Sequence, residues 1–391
     1  MIMNHRKCSI PLLFILLLAC GPPPEEAPAN DDEVCEYRPD PEETRVDGDG
    51  EICTLYDHRG PFEVGVVDLE IDDLELAVFY PAVDASCTQE RFVYDLRQWL
   101  PEEDRDLISD DDAPLFEVDA AVDAEAVQGT FPLVLFSHGM AGYRFQSSTL
   151  LSHLASWGFV VASAEHPERN MTHVLESFAP DGDNAPEVMR QIVDFFADAV
   201  DDEASPFFEL VDLTQIAATG HSMGGNGAVS MVGEPGVEAA IFYASQPEVS
   251  DEELADQGVE LMWQAGTFDG IIQVSSIESA YENSHDPKTY LGIGEAGHLA
   301  FSDICAVGAD RGGILQIAAD SGMDIPSFLI NLARDGCRDS DLHYEDAWPI
   351  IHHYSVAHLR AAFAIDDEPV GLDEATIECY AEATDLDLRQ Y

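Results

Sequence analysis

Ile216-Ala217-Ala218-Thr219-Gly220-His221-Ser222-Met223-Gly224-Gly225-Asn226-Gly227-Ala228-Val229-Ser230 is the stretch on which the reading of the chain turns. The apolar run 216–219 leads without a spacer into Gly220, and small residues follow from about Met223 as the opening of a helix. G-x-S-x-G at a strand-to-helix junction predicts a turn so sharp that the serine takes strained dihedrals. Strand and helix then lie too close for side chains at the flanking positions, which accounts for Gly220 and Gly224. The hydroxyl of Ser222 is left exposed at the carboxyl edge of a sheet, with a helix N-terminus behind it to favour negative charge. A glycine-rich turn whose serine only caps a helix spells the same letters, so the motif gains its meaning from its flanks and its partners.

Working outward, short apolar runs alternate with helical spacings. Residues 131–136 and 159–164 read as buried parallel strands, and 147–157 and 188–200 as the helices after them. Beyond the serine, 237–244, 259–265 and 289–293 complete the strand series, and 347–363 reads as a last helix. Before it, 62–69 and 74–80 read as neighbouring strands joined by an acidic turn at Asp72-Asp73. Residues 84–128 read as irregular and acidic, with an amphipathic stretch at 92–100. Such alternation predicts an α/β fold, a mostly parallel sheet covered by helices on both faces.

A serine hydroxyl needs a base to take its proton, and in this kind of fold the expected chain order is serine, acid, histidine. His298 follows the strand 289–293 in a loop at the carboxyl edge and is the candidate base. His352, His353 and His358 lie on the late helix and read as packing or surface residues, and His285 precedes its strand. Asp269 follows the strand 259–265 by the turn Gly266-Thr267-Phe268 and is the candidate acid, with Asp286 and Asp303 as alternatives. The run Gly292-Ile293-Gly294-Glu295-Ala296-Gly297 spells G-x-G-x-x-G, but it stands late in the chain and leads into His298, so it is not read as a dinucleotide fingerprint. Acyl transfer also needs two donors for a developing oxyanion. The N–H of Met223 is one candidate, and that of Met140, in the loop after strand 131–136, is the other. His138 reads as a brace for that loop.

Phe136-Ser137-His138-Gly139-Met140, Leu154 to Val161, Ala164-Glu165-His166-Pro167 and Gly220 to Gly225 together resemble the platelet-activating-factor acetylhydrolase group, which is itself similar to cutinases, polyester hydrolases and dienelactone hydrolases. The resemblance runs from about residue 62 to 300. It implies an eight-stranded α/β-hydrolase fold, hydrolysis of esters with short acyl groups, and neither metal nor cofactor. Ser222, Asp269 and His298 fall on its triad, and Met140 and Met223 on its oxyanion donors. The segments 84–128, 167–186 and 305–345 do not match it, and they are expected to border the pocket and choose the substrate. A polyester- or cutin-like or a phospholipid hydrolase is the neighbouring expectation, although Gln246 stands where polyester hydrolases tend to carry an aromatic residue. A catalytically silent envelope-binding protein is the rival of another class.

The chain has 391 residues and is 46% hydrophobic, enough for a large core. It carries 77 acidic against 17 basic residues, with Lys7 and Lys288 its only lysines. A net charge of −60 repels phosphate backbones, which excludes nucleic acid as a partner. Basic residues at 5–7, an apolar run at 10–19 and Leu17-Leu18-Ala19-Cys20 resemble a bacterial lipoprotein signal, implying cleavage before Cys20 and lipid on its sulfur. The expected organisation is a signal peptide at 1–19, an acidic flexible tether at 20–60 and one catalytic domain at 61–391, held at the cell envelope by its lipid. An exported chain meets oxidising conditions, so Cys35, Cys53, Cys87, Cys305, Cys337 and Cys379 are expected to form up to three disulfides. Proximity favours Cys35–Cys53 and Cys305–Cys337.

Overall fold

A computed structural model describes residues 45, 50, 53, 56–83 and 90–391. The expected leader, Cys20, Cys35 and Cys87 lie outside the described residues. Among the described residues eleven strands form one sheet: β1 (Glu63–Ile71), β2 (Leu74–Ala82), β3 (Arg91–Asp95), β4 (Leu115–Val122), β5 (Phe131–Ser137), β6 (Val160–Ala164), β7 (Val211–His221), β8 (Val237–Tyr243), β9 (Glu260–Gly266), β10 (Lys288–Ile293) and β11 (Leu386–Gln390). Their order is β11-β10-β9-β8-β7-β5-β6-β2-β1-β4-β3. The run from β10 to β6 is parallel throughout, and β2, β3 and β11 pair antiparallel with their neighbours. β1 and β2 meet at Asp72 and Asp73, whose φ of 48° and 67° is the left-handed pair that a two-residue hairpin turn requires.

The side chains of β5 show how the sheet is covered. Val134 and Phe136 point to one face, against Leu150, Leu151 and Leu154 of the helix Ser148–Ser156 and Ile350 and Ile351 of the helix Tyr344–Ala362. Leu133 and Leu135 point to the other, against Met189, Ile192 and Phe196 of the helix Ala185–Ala199. Each such side chain, fully buried, contributes about 1.5–3 kcal/mol relative to exposure. Burial on both faces is why these strands read as unbroken apolar runs instead of alternating ones.

Three expectations are corrected. The sheet has eleven strands, not eight. Two of the extra ones arise in 84–128, where Phe116, Val118 and Ala120 alternate with Glu117 and Asp119, a period of two hidden by the density of acids. The third is β11, paired with β10 at the chain's end. Residues 56–60, expected to belong to the tether, pack against the fold: Tyr56 is buried, its N–H donates to Nδ1 of His353 at 2.9 Å, and the N–H of Gly60 donates to Oγ of Ser156 at 2.9 Å. Because this segment lies against residues 353–380, Cys53 pairs with Cys379 and not with Cys35. Cys305–Cys337 forms as proximity suggested. Among the described residues no helix is long and apolar enough to cross a membrane.

The histidines set the acid limit of this fold. Burial holds His153 and His221 down at about 3, His353 and His358 at about 4, and His166 and His352 well below their usual value. Their neutral forms are the folded forms, so this contribution is complete above about pH 6.5 and is lost as pH falls toward 4, where only the unfolded chain takes up protons. Each proton adds about 1.4 kcal/mol per pH unit to the slope. Thermal unfolding between pH 7.5 and 4.5 is expected to show Tm falling steeply below pH 6.5; a flat profile down to pH 5 refutes the assignment.

Candidate active site

β7 ends at His221, and Ser222 begins a 3-10 turn, Ser222–Gly224, that passes directly into the helix Gly225–Met231. Ser222 has φ of 54°, a left-handed conformation rare outside glycine and held here by the packing around it. A Cβ on Gly220 would fall on the carbonyl of Gly224, and one on Gly224 on the carbonyl of Ser137. The two flanking glycines are therefore demanded by backbone approach, as the sharp turn predicts. A Cβ on Gly139 would stand 3.1 Å from that of Ser222, which shows how near the loop after β5 comes to the hydroxyl.

His298 follows β10 and Asp269 follows β9, so neighbouring parallel strands deliver both to the same edge as Ser222. Nδ1 of His298 lies 2.8 Å from Oδ2 of Asp269. The other oxygen, Oδ1, accepts the N–H groups of Ile271 and Ile272 at 2.8 and 2.7 Å, which fixes the carboxylate. A carboxylate only accepts, so the ring proton sits on Nδ1 and leaves the Nε2 lone pair free. Both side chains are buried, and His298 and Ser222 line one cavity of about 120 Å³. The alternative acids are occupied elsewhere. Asp286 is exposed and pairs with Lys288. Asp303 accepts from Ser148 and Thr149 at the start of the helix Ser148–Ser156, where burial pushes its carboxyl up to about 7.

Met140 lines the cavity as well. In its turn, the N–H groups of Gly139, Ala141 and Gly142 donate to Oε1 of Gln146, the carbonyl of Arg169 and the carbonyl of Gly139. The N–H of Met140 has no acceptor among the described residues. Met223 stands next to Ser222 in the first turn of the elbow. His138 donates from Nδ1 to the carbonyl of Gly139 at 2.8 Å and accepts the N–H of His166 on Nε2 at 3.0 Å, so it ties the loop to the strand end.

Three residues around His298 escaped the sequence. Asp335 is buried and accepts the N–H of His298 at 2.8 Å and, at 3.2 Å, that of Gly270 beside Asp269. His221 donates from Nε2 to the carbonyl of His298 at 3.0 Å while Nδ1 accepts from Gln146 at 3.0 Å. The peptide of His298 is thus held at both ends. No spacing signals this: Asp335 is one of 77 acids, 37 residues beyond the histidine it holds. Asp335→Ala is expected to lower kcat by about 10–100-fold, the penalty of a loosened base. Titration with a fluorophosphonate should still count intact sites, and an unchanged kcat would make Asp335 merely structural.

The walls of the cavity come from the segments that the resemblance left unmatched. Leu96, Leu100, Ile108 and Pro114 belong to 84–128, and Met171 and Leu175 to 167–186. Ile314, Ile317, Leu329 and Leu332 come from the helices Ile314–Asp320 and Ser327–Arg334. Cys305–Cys337 closes that helical pair at its base.

Parts of this chain are similar to known proteins. A family model described as chlorophyllase matches residues 117–238, a span that holds Met140 and Ser222 and stops before Asp269 and His298. A Schizosaccharomyces pombe protein named "Putative phospholipase A2" is 36% identical over 73 residues, which are 18% of this chain and 17% of that protein. A ferulic acid esterase from Streptomyces cinnamoneus superposes with a TM-score of 0.56 over 84% of this chain and 96% of its own, at 19% identity. The fold is that of the α/β-hydrolases.

Proposed function

We propose that this chain is a carboxylic ester hydrolase in which Ser222, His298 and Asp269 form the triad and the N–H groups of Met140 and Met223 bind the oxyanion. The observation that carries the reading is the 2.8 Å hydrogen bond from Nδ1 of His298 to Oδ2 of Asp269, with His298 opening on the same apolar cavity as a serine held at φ of 54°. Ser222 Oγ attacks the ester carbonyl as Nε2 of His298 takes its proton. The oxyanion collapses, the alcohol leaves with the proton from His298, and an acyl-enzyme remains. Water, deprotonated by the same nitrogen, attacks the acyl carbon; the bond to Ser222 Oγ then breaks, Oγ takes the proton back from His298, and the acid is released. The names carried by the similar proteins, an esterase and a phospholipase, support ester chemistry.

The motif ending in Cys20, together with two disulfides that suit an oxidising compartment, supports an exported protein anchored by lipid at the cell envelope. A fluorophosphonate probe on the folded full-length protein tests the catalytic reading against a silent binding role. The expected result is a single adduct on Ser222, lost on prior heat denaturation. Absence of labelling in folded protein removes the enzyme reading.

A further inference from the structure

We infer that the cavity beside Ser222 holds one flexible aliphatic chain of a neutral ester, which makes medium-chain aliphatic esters the substrate class, in place of the short acyl groups that the resemblance implies. This rests on the esterase reading above. With Ser222, His298, His221, Gln146 and Ser302 set aside, the side chains of the wall are hydrocarbon or thioether: Leu100, Met171, Leu175, Ile317 and Leu329 are representative. Among the described residues no Asp, Glu, Lys or Arg reaches the cavity, in a chain with 77 acids, and no Phe, Tyr or Trp does either.

That composition selects. Each CH₂ of a substrate chain that leaves water for this wall strengthens binding, and the unbranched side chains of Met171 and Met323 adapt to its path. A flat aromatic acid finds no ring to stack on or meet edge-to-face. A charged headgroup inside would be desolvated with no partner. An acetyl group would leave most of the hydrocarbon wall uncovered and gain nothing from it. Leu107, Phe268 and Phe328 are exposed apolar residues, and each adjoins in the chain a residue of the cavity or of the proposed triad, namely Ile108, Asp269 and Leu329.

The experiment uses the full chain, with active sites counted by a fluorophosphonate. The p-nitrophenyl esters of acetate, butyrate, octanoate and benzoate are compared by kcat/KM. Octanoate is expected to exceed acetate by at least about tenfold, and benzoate to fall below octanoate. Ethyl octanoate against octyl acetate then tells whether the chain belongs to the acid or the alcohol; neither exceeding ethyl acetate overturns the inference. Leu329→Trp, which fills the cavity, should lower the octanoate-to-acetate ratio about tenfold, and an unchanged ratio counts against the assignment. The wild-type series decides even if that variant does not fold. A labelled Ser222 with a flat or falling acyl series, and octyl acetate no better than ethyl acetate, sinks the chain preference and leaves the esterase; an unlabelled Ser222 sinks both.

Discussion

Ser222→Ala is expected to lower kcat by about a millionfold while leaving the fold intact. The magnitude follows from how a triad works: its members act as a unit, so removing the nucleophile costs about as much as removing nucleophile and base together. His298→Ala alone, and the double variant, should therefore fall to nearly the same residual rate, sustained by substrate binding and the oxyanion donors. The backbone carbonyl of Ser222 accepts from Oγ of Ser245 at 2.7 Å and from the N–H of Gly225, so removing the hydroxyl leaves both anchors in place. Initial rates on p-nitrophenyl octanoate, with circular dichroism and Tm as controls, check this. A loss of less than about a hundredfold would mean that another group makes the attack.

Asp269→Asn is expected to lower kcat about ten-thousandfold through the tautomer of one ring. The geometry decides which way the new amide turns. Oδ1 already accepts two N–H groups, from Ile271 and Ile272, and only an oxygen can keep them. The amide nitrogen must then occupy the place of Oδ2 and present hydrogens to Nδ1 of His298. Nδ1 becomes an acceptor, the ring proton moves to Nε2, and the nitrogen that should take the serine proton no longer can. Tm should change little, because the turn after β9 keeps its hydrogen bonds. Asp269→Ala loses those bonds and should fall in stability as well as rate. If the Asn variant retained more than about a tenth of wild-type kcat, the ring would not depend on Asp269 for its orientation.

The parallel strands and the elbow were legible because they are local: a strand buried on both faces reads as an unbroken apolar run, and a tight turn needs glycine at fixed positions. The placement of Asp269 and His298 at the same sheet edge as Ser222 was legible for the same reason, since each follows its strand by a short loop. What could not be read depends on residues far apart in the chain. Cys53 meets Cys379 across 326 positions, and the nearer Cys35 looked the better partner. Asp335 accepts the N–H of His298 from within the segment 305–345, and nothing in its neighbours marks it. β4 was missed because its outward residues are acids among many acids, so its alternation of Glu117 and Asp119 with inward Val118 and Ala120 read as irregular chain.

The two ends of the sheet carry one more consequence. β3 and β11 are its outermost strands, each of five residues, Arg91–Asp95 and Leu386–Gln390. Both bear ionised side chains: Arg91 and Asp95 on one, Asp387 and Arg389 on the other. A border so short, carrying charges that like copies would bring face to face, offers a poor template for another chain's backbone. A concentrated solution of this protein should therefore resist fibre growth, even though its interior is built from long β-rich runs.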